Sequence, residues 1–316
     1  MAARVLDPVP DEGPEHGLSG VAPPARVLGM RLSAMRVAAK MRGKDVVAAG
    51  VIGSTSMLSR YETGSRDVKP DLSTVLRLAE LYGHADGDSL RTLTRLVNNT
   101  KQRRWWTDYS DVVDTSLDEL MIVESAAKEI RTYSGSLVPG LLQTPDYARA
   151  IMQVPYTGKP DHPAIKRRWE VRRRRQQVLE PPDAPDYSAV IAEAALRAWV
   201  GGRKVMRGQL RHLFNLAENR DRVHIRIFTD RAWEKVCPLT VAMTVFKFRA
   251  PGEPDLVYRE GMNSGGAWLN EPADVDLHAA SMLELIQHSL DKEQTLTLLD
   301  RLITGFADEG RGRGQG

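Results

Sequence analysis

At 316 residues and 42% apolar, the chain has material for about two domains with real cores, which excludes a mainly disordered protein. A single cysteine, Cys237, excludes an intrachain disulfide and a multi-thiol metal cluster and fits a reducing compartment. The net charge of +3 is unevenly spread: residues 1–25 hold one Lys/Arg against four Asp/Glu, residues 26–105 fifteen against seven, and the remainder twenty-eight against thirty.

Residues 1–25 read as a disordered tail, with Asp7, Asp11, Glu12 and Glu15 among prolines and glycines and no apolar core of a secretory signal. No run reaches the roughly 18 apolar residues of a membrane span, so a cytoplasmic protein is expected. From Arg26 to Met41, Leu28, Leu32, Met35 and Ala39 recur at helical spacing with Arg31, Arg36 and Lys40 between them, which predicts an amphipathic basic helix. A second short helix is predicted from Lys44 to about Val51, with Val47, Ala48 and Val51 inward. Ser54 is a good N-cap for a third, running to about Glu62 and stopped by Gly64. Pro70 and Asp71 open a fourth with Leu72, Val75, Leu76, Ala79 and Tyr82 inward, and Leu90, Leu93, Leu96 and Val97 mark a fifth. An all-α domain over 26–104 follows.

The basic charge of this segment suggests a polyanion partner or a merely solvated surface, and pattern favours the partner. In "STSMLSRYETG", Ser54 to Gly64, the helix is anchored inside by Leu58 and Tyr61 and polar outside, the form of the second helix of a helix-turn-helix. Such a helix meets base edges in the major groove, where small hydroxyls allow close approach and arginine reads guanine. The stretch resembles the signature of Cro/C1-type (Xre-family) repressor domains, with a lambda-repressor-like helical bundle. The resemblance implies that Thr55, Ser56 and Arg60 read bases, that Lys44 and Ser54 hold phosphates of double-stranded operator DNA, that Glu62 is structural, and that Ala48 is the small residue where the two helices cross. The sequence departs from the family at Ile52, where glycine is usual, with Gly53 following; a slipped or strained turn is expected there.

Behind the junction, strands are predicted at 189–191, 223–228, 240–248 and 256–258, and helices at 145–152, 165–178, 204–218, 272–289 and 292–303, an α+β domain over 105–305 before a flexible tail at 306–316. Thr144, Pro145 and Asp146 make a well-formed helix start, so "VPGLLQTPDYA" is either a turn and capped helix packing Leu141 and Leu142, or a pocket rim. "IRTYSGSLVPGLLQTPDYARAIM", with "RRWEVRRRRQQVL", "VIAEAALRAWVGG", "VHIRIF" and "DLVYREG", resembles a C-terminal domain of uncharacterised function found behind such DNA-binding domains in actinobacterial regulators, antitoxin-like ones included.

"KRRWEVRRRR", Lys166 to Arg175, is either a second phosphate stripe, a docking surface, or a solvated helix anchored by Ile165 and Trp169. Trp105 and Trp106, after Arg103 and Arg104, read as an interdomain anchor and as effector or partner residues, together with Glu193 and Glu260, which follow predicted strands and could meet in a cleft. Scattered histidines offer no zinc motif and Cys237 reads as a small buried residue, so no enzyme, metal or cofactor is expected. The expectation is a homodimeric transcriptional regulator governed through its larger domain by a small-molecule effector or by a small protein from an adjacent gene. The alternative is an antitoxin-like protein that sequesters such a partner and autoregulates its own operon.

Overall fold

The computed structural model describes residues 23–65, 68–101, 105–153, 163–180, 182, 184–236, 242–248, 255–261, 266–269 and 271–308. Most of the tail expected at 1–25, the end of the chain past 308, Arg103, Arg104 and Cys237 lie outside them.

Five helices open the fold: α1 (Pro23–Ala38), α2 (Gly43–Ala48), α3 (Thr55–Thr63), α4 (Leu72–Leu81) and α5 (Gly87–Lys101). Local chemistry sets their ends. The Ser54 side chain accepts the Met57 amide, and Gly64, at φ 69°, lets the Ser65 amide return to the Arg60 carbonyl at 3.0 Å. Asp71 caps α4 through the Thr74 amide, and Asp86 accepts the Asp88 and Ser89 amides at the start of α5.

A 3-10 helix (Trp105–Tyr109) leads to α6 (Thr115–Ala126), and a six-stranded sheet follows. Its strands are β1 (Glu129–Ser134), β2 (Asp186–Ala192), β3 (Val223–Phe228), β4 (Met243–Lys247), β5 (Leu256–Arg259) and β6 (Ala267–Leu269), in the order β3-β2-β1-β4-β5-β6. β1, β2 and β3 run parallel, joined by helical crossovers through α7 (Pro145–Gln153) and α8 (Pro163–Gln176), then α9 (Glu193–Arg197) and α10 (Arg203–Asn219). β4, β5 and β6 are antiparallel. The chain is thus an N-terminal helix-turn-helix bundle followed by an α+β body with a mixed sheet. α11 (Pro272–Gln287) covers one sheet face, where Met282 and Leu285 join Tyr133, Val190 and Val257. α12 (Lys292–Asp308) packs with α10 against β3, running on into the stretch expected as tail. In the "VPGLLQTPDYA" stretch Leu141 and Leu142 are buried, as the packed alternative requires.

Helix α1 corrects its expected form. Every residue from Val27 to Leu32 is buried, as are Ala34 and Met35, so the helix is enclosed on all sides instead of amphipathic. α3 and α4 take one part of its surface, α5, α6 and α11 the rest. One contiguous apolar core therefore runs from Leu28 and Leu32 to Ile130, Ile191 and Phe246 of the sheet. The crossing with α3 is made at Gly29, where a Cβ would lie 2.4 Å from the Glu62 carbonyl oxygen and 2.6 Å from that of Tyr61. Ala48, expected to serve a close crossing, is exposed; Val46 is the buried residue of α2, and Gly43 is the one that faces Thr55 and Leu58.

Because backbone atoms cannot yield as a flexible side chain does, Gly29→Ala should cost about 1–3 kcal/mol of stability. Chemical denaturation of the two proteins measures it; equal midpoints would mean that α1 and α3 are free to slide apart.

Candidate nucleic-acid interface and its link to the larger body

The α2–α3 pair forms the helix-turn-helix. Leu58 and Tyr61 turn α3 into the core, leaving Thr55, Ser56, Met57, Ser59 and Arg60 exposed on the opposite side. Ser54 and Lys44 are exposed at the same end, at the cap of α3 and in the first turn of α2. All five residues expected to meet DNA are thus on the surface of this motif. Met57, 38% exposed, was not singled out from the sequence, because a methionine in an apolar pair reads as core. Helical spacing is the signal that exposes it: Leu58 and Tyr61 fix the inner side, and Met57 falls off it.

The turn resolves the Ile52 departure. Left-handed backbone falls two residues earlier, at Gly50 (φ 69°), where no Cβ penalty arises. Ile52 has no positive φ and is buried in the core. The expected strain is absent because the turn is longer, with Val51 to Gly53 lying between Gly50 and the cap. Arg77 of α4 donates to the Gly50 carbonyl at 3.2 Å and ties the turn to the bundle.

One clamp fixes α3 and another fixes α2. Arg36 donates to both Glu62 carboxylate oxygens, at 2.6 and 2.9 Å, and to the Met41 carbonyl at 2.8 Å. Glu62 is therefore structural, spent on α1 instead of DNA. Arg42 and Asp45 close a capping box on α2, holding the Asp45 carboxyl below its ordinary range. Of the fifteen cationic residues between 26 and 105, several are committed inside the fold, so the charge available to a polyanion is less than composition suggests.

Arg31 is the clearest such case. It is 1% exposed, and its guanidinium stacks over the Phe248 ring, just past β4, at 3.9 Å. Burial and neighbouring Arg95 bring its pKa down to about 9, with Asp86 acting the other way. Arg95 donates to the Ala126 carbonyl at the end of α6, at 3.3 Å. The junction between bundle and sheet is thus α1 and α5 against α6 and Phe248.

Trp105 and Trp106 do not make that junction. They meet edge to face at 5.2 Å, Trp106 donates to Asp118 of α6 at 2.6 Å, and Arg174 of α8 lies over Trp105 at 5.2 Å. Position in the sequence misled here, because the chain turns back along α6 before the sheet begins. Glu193 and Glu260 do not meet either. They follow β2 and β5, with β1 and β4 between, so about 14 Å separates the strands at typical spacing. Glu193 is engaged by Arg197 of its own short helix. On α8 the arginines divide: Arg167 pairs with Asp111 at 2.7 Å, Arg175 clasps Glu124 at 2.8 and 2.7 Å, and Arg173 is exposed.

A model of a helix-turn-helix domain matches residues 27–93, and a model of a domain of unknown function, DUF5753, matches residues 117–301. No curated protein and no solved structure matches the chain. Among the described residues no helix is long and apolar enough to cross a membrane.

His84 sits beside this junction, 7% exposed, its pKa lowered by burial and by Arg31 and raised in part by Asp86. Its neutral form is the one the fold accepts, so acid protonates the unfolded chain first. Stability should fall from about pH 7 to pH 5, around the ordinary histidine value, and His212, lowered by burial too, adds to the loss. The carboxylates with lowered values, Asp86 among them, yield only in more acid solution. Thermal melts across this range should show a shallower decline for His84→Gln than for wild type; parallel curves would exclude the histidine.

Proposed function

Because the chain belongs to the DUF5753 family and carries a helix-turn-helix domain ahead of it, we propose that it is a sequence-specific transcriptional regulator of the Cro/C1 (Xre) type. The observation that carries this reading is the exposed face of α3, a run of hydroxyls with one guanidinium on a helix buried behind by Leu58 and Tyr61. A surface that polar gains nothing from folding and has the right groups for a major groove. Thr55, Ser56 and Arg60 read base edges, and Met57 is placed to meet a thymine methyl. Lys44, the Ser54 hydroxyl and the free amides of the first turn of α3 hold phosphates. A homodimer on half-sites about 34 Å apart is the assembly expected of it. The larger body senses an effector and biases DNA binding through α6 and α1.

An antitoxin-like role, with a small protein from an adjacent gene held by the larger body, draws support from one feature. Trp199, 60% exposed, stands with Phe306, Arg197, Arg203 and Arg301 around a groove of about 390 Å³ between α9, α10 and α12. An exposed tryptophan stacked by arginine is a common anchor of protein interfaces. Under this reading Trp199→Ala abolishes co-purification with the neighbouring gene's product; retention of the complex would remove it.

Arg60→Ala should weaken binding to a selected duplex by about 1–3 kcal/mol and relax preference at one base pair. Lys44→Ala should weaken all sequences alike and flatten the salt dependence by about one unit of slope. Titrations at several salt concentrations separate the two, and an Arg60→Ala protein that binds and discriminates as wild type would remove the base-reading assignment.

A further inference from the structure

A cavity of about 150 Å³ opens between the start of α6, the end of α7 and α8. Ser116, in the first turn of α6, bonds the Tyr258 hydroxyl of β5 at 2.7 Å. Gln143, shortly after β1, accepts from Arg172 in the cavity wall.

The wall has two chemistries. Arg168, Arg172 and Arg175, at helical spacing on α8, line one side, and Leu117, Met152 and Val171 contribute an apolar side. The one carboxylate in the lining, Asp114, accepts the Leu117 amide at 2.8 Å as the cap of α6. Arg175 is neutralised by Glu124. Arg172 has no such partner: its bond goes to the neutral Gln143, and no carboxylate lies within ion-pair distance of it among the described residues. Burial and Arg175 lower its pKa to about 10, Glu260 acting the other way, so it stays cationic near neutral pH. Arg172 is half-buried with Arg168 one turn away on α8, and a cation so placed is costly unless an anion joins it.

We propose that this cavity binds a small aliphatic carboxylate, its oxygens on the fork of Arg172 beside Arg168 and its chain against Leu117, Met152 and Val171. Guanidinium and carboxylate match in plane and spacing. The size is right for a short acid, since an engineered cavity of about 150 Å³ takes benzene. The site stands on its own geometry; only its consequence for DNA rests on the sensing role proposed above. α6 supplies that consequence, because it runs from Leu117 in the cavity wall to Ala126 at the contact with Arg95 and packs on α1.

The test is calorimetric titration of the full chain with sodium pentanoate near neutral pH, with 1-pentanol and inorganic phosphate as separate arms. Pentanoate should bind saturably, one per chain, while pentanol does not. Arg172→Gln and Arg168→Gln should each weaken it at least tenfold, and Leu117→Trp, which fills the cavity, should abolish it, all with the far-UV spectrum of wild type. Absence of saturable binding, equal binding of pentanol, binding of phosphate alone, or arginine variants that bind as wild type would each overturn the proposal. Operator affinity with and without pentanoate is read in parallel. Intact pentanoate binding with unchanged DNA affinity would keep the site and remove the sensing role.

Discussion

The enclosure of α1 is the constraint on which the rest of the molecule depends. A helix buried all round cannot turn or slide without opening a void on some side, and voids in a close-packed interior are costly. The last turn of α3 lies on α1 at Gly29 with backbone against side-chain-free backbone, and the Arg36–Glu62 pair locks that same turn. On other sides of α1 lie α6 and, through Arg31, Phe248. The surface proposed for DNA and the sheet body thus share one rigid element. A displacement of α6 has a route to α3 that needs no flexible linker.

Buried charge marks the same route. Arg31 at the junction and the Arg175–Glu124 pair between α8 and α6 both hold ions where water is scarce. Such arrangements add little net stability over apolar packing, but they penalise displacement steeply, because moving one partner leaves the other uncompensated. A body built this way favours discrete positions over gradual ones, which suits the coupling proposed between its two halves.

What the sequence disclosed followed from local rules. The cap at Ser54, the stop at Gly64, the cap at Asp71 and the start at Pro145 are chemistry of one or two residues, and each was legible. β3 was read at its full extent because Val223, Ile225 and Ile227 alternate with His224 and Arg226, the period of a strand. The central strand β1 was not read as a strand. Its inward positions alternate through Ile130, Thr132 and Ser134, and two of these are polar groups satisfied by partners far along the chain or in the next turn, Thr244 and the Leu137 carbonyl. α6 was missed for a related reason. It buries Glu119 and Glu124 along with its apolar residues, so no periodicity survives. α1 was found as a helix but misread as amphipathic, since nothing local tells that Arg31 will lie under a phenylalanine 217 positions later. Of the site, the α2–α3 residues were legible because the motif is local; the arginine cavity was not, because α6, α7 and α8 meet only in the fold.

In the function proposed, the α2–α3 face meets DNA and the arginine-rich α8 and α10 do not. Met57 on that face and Trp199 beside α10 are both exposed and both oxidisable, which makes them internal reporters. Hydroxyl-radical footprinting of the full chain, free and bound to a selected duplex, should show oxidation of Met57 falling severalfold while that of Trp199 is unchanged. Protection of Trp199 with Met57 still fully reactive would contradict the claim and place the nucleic acid on the other side of the molecule.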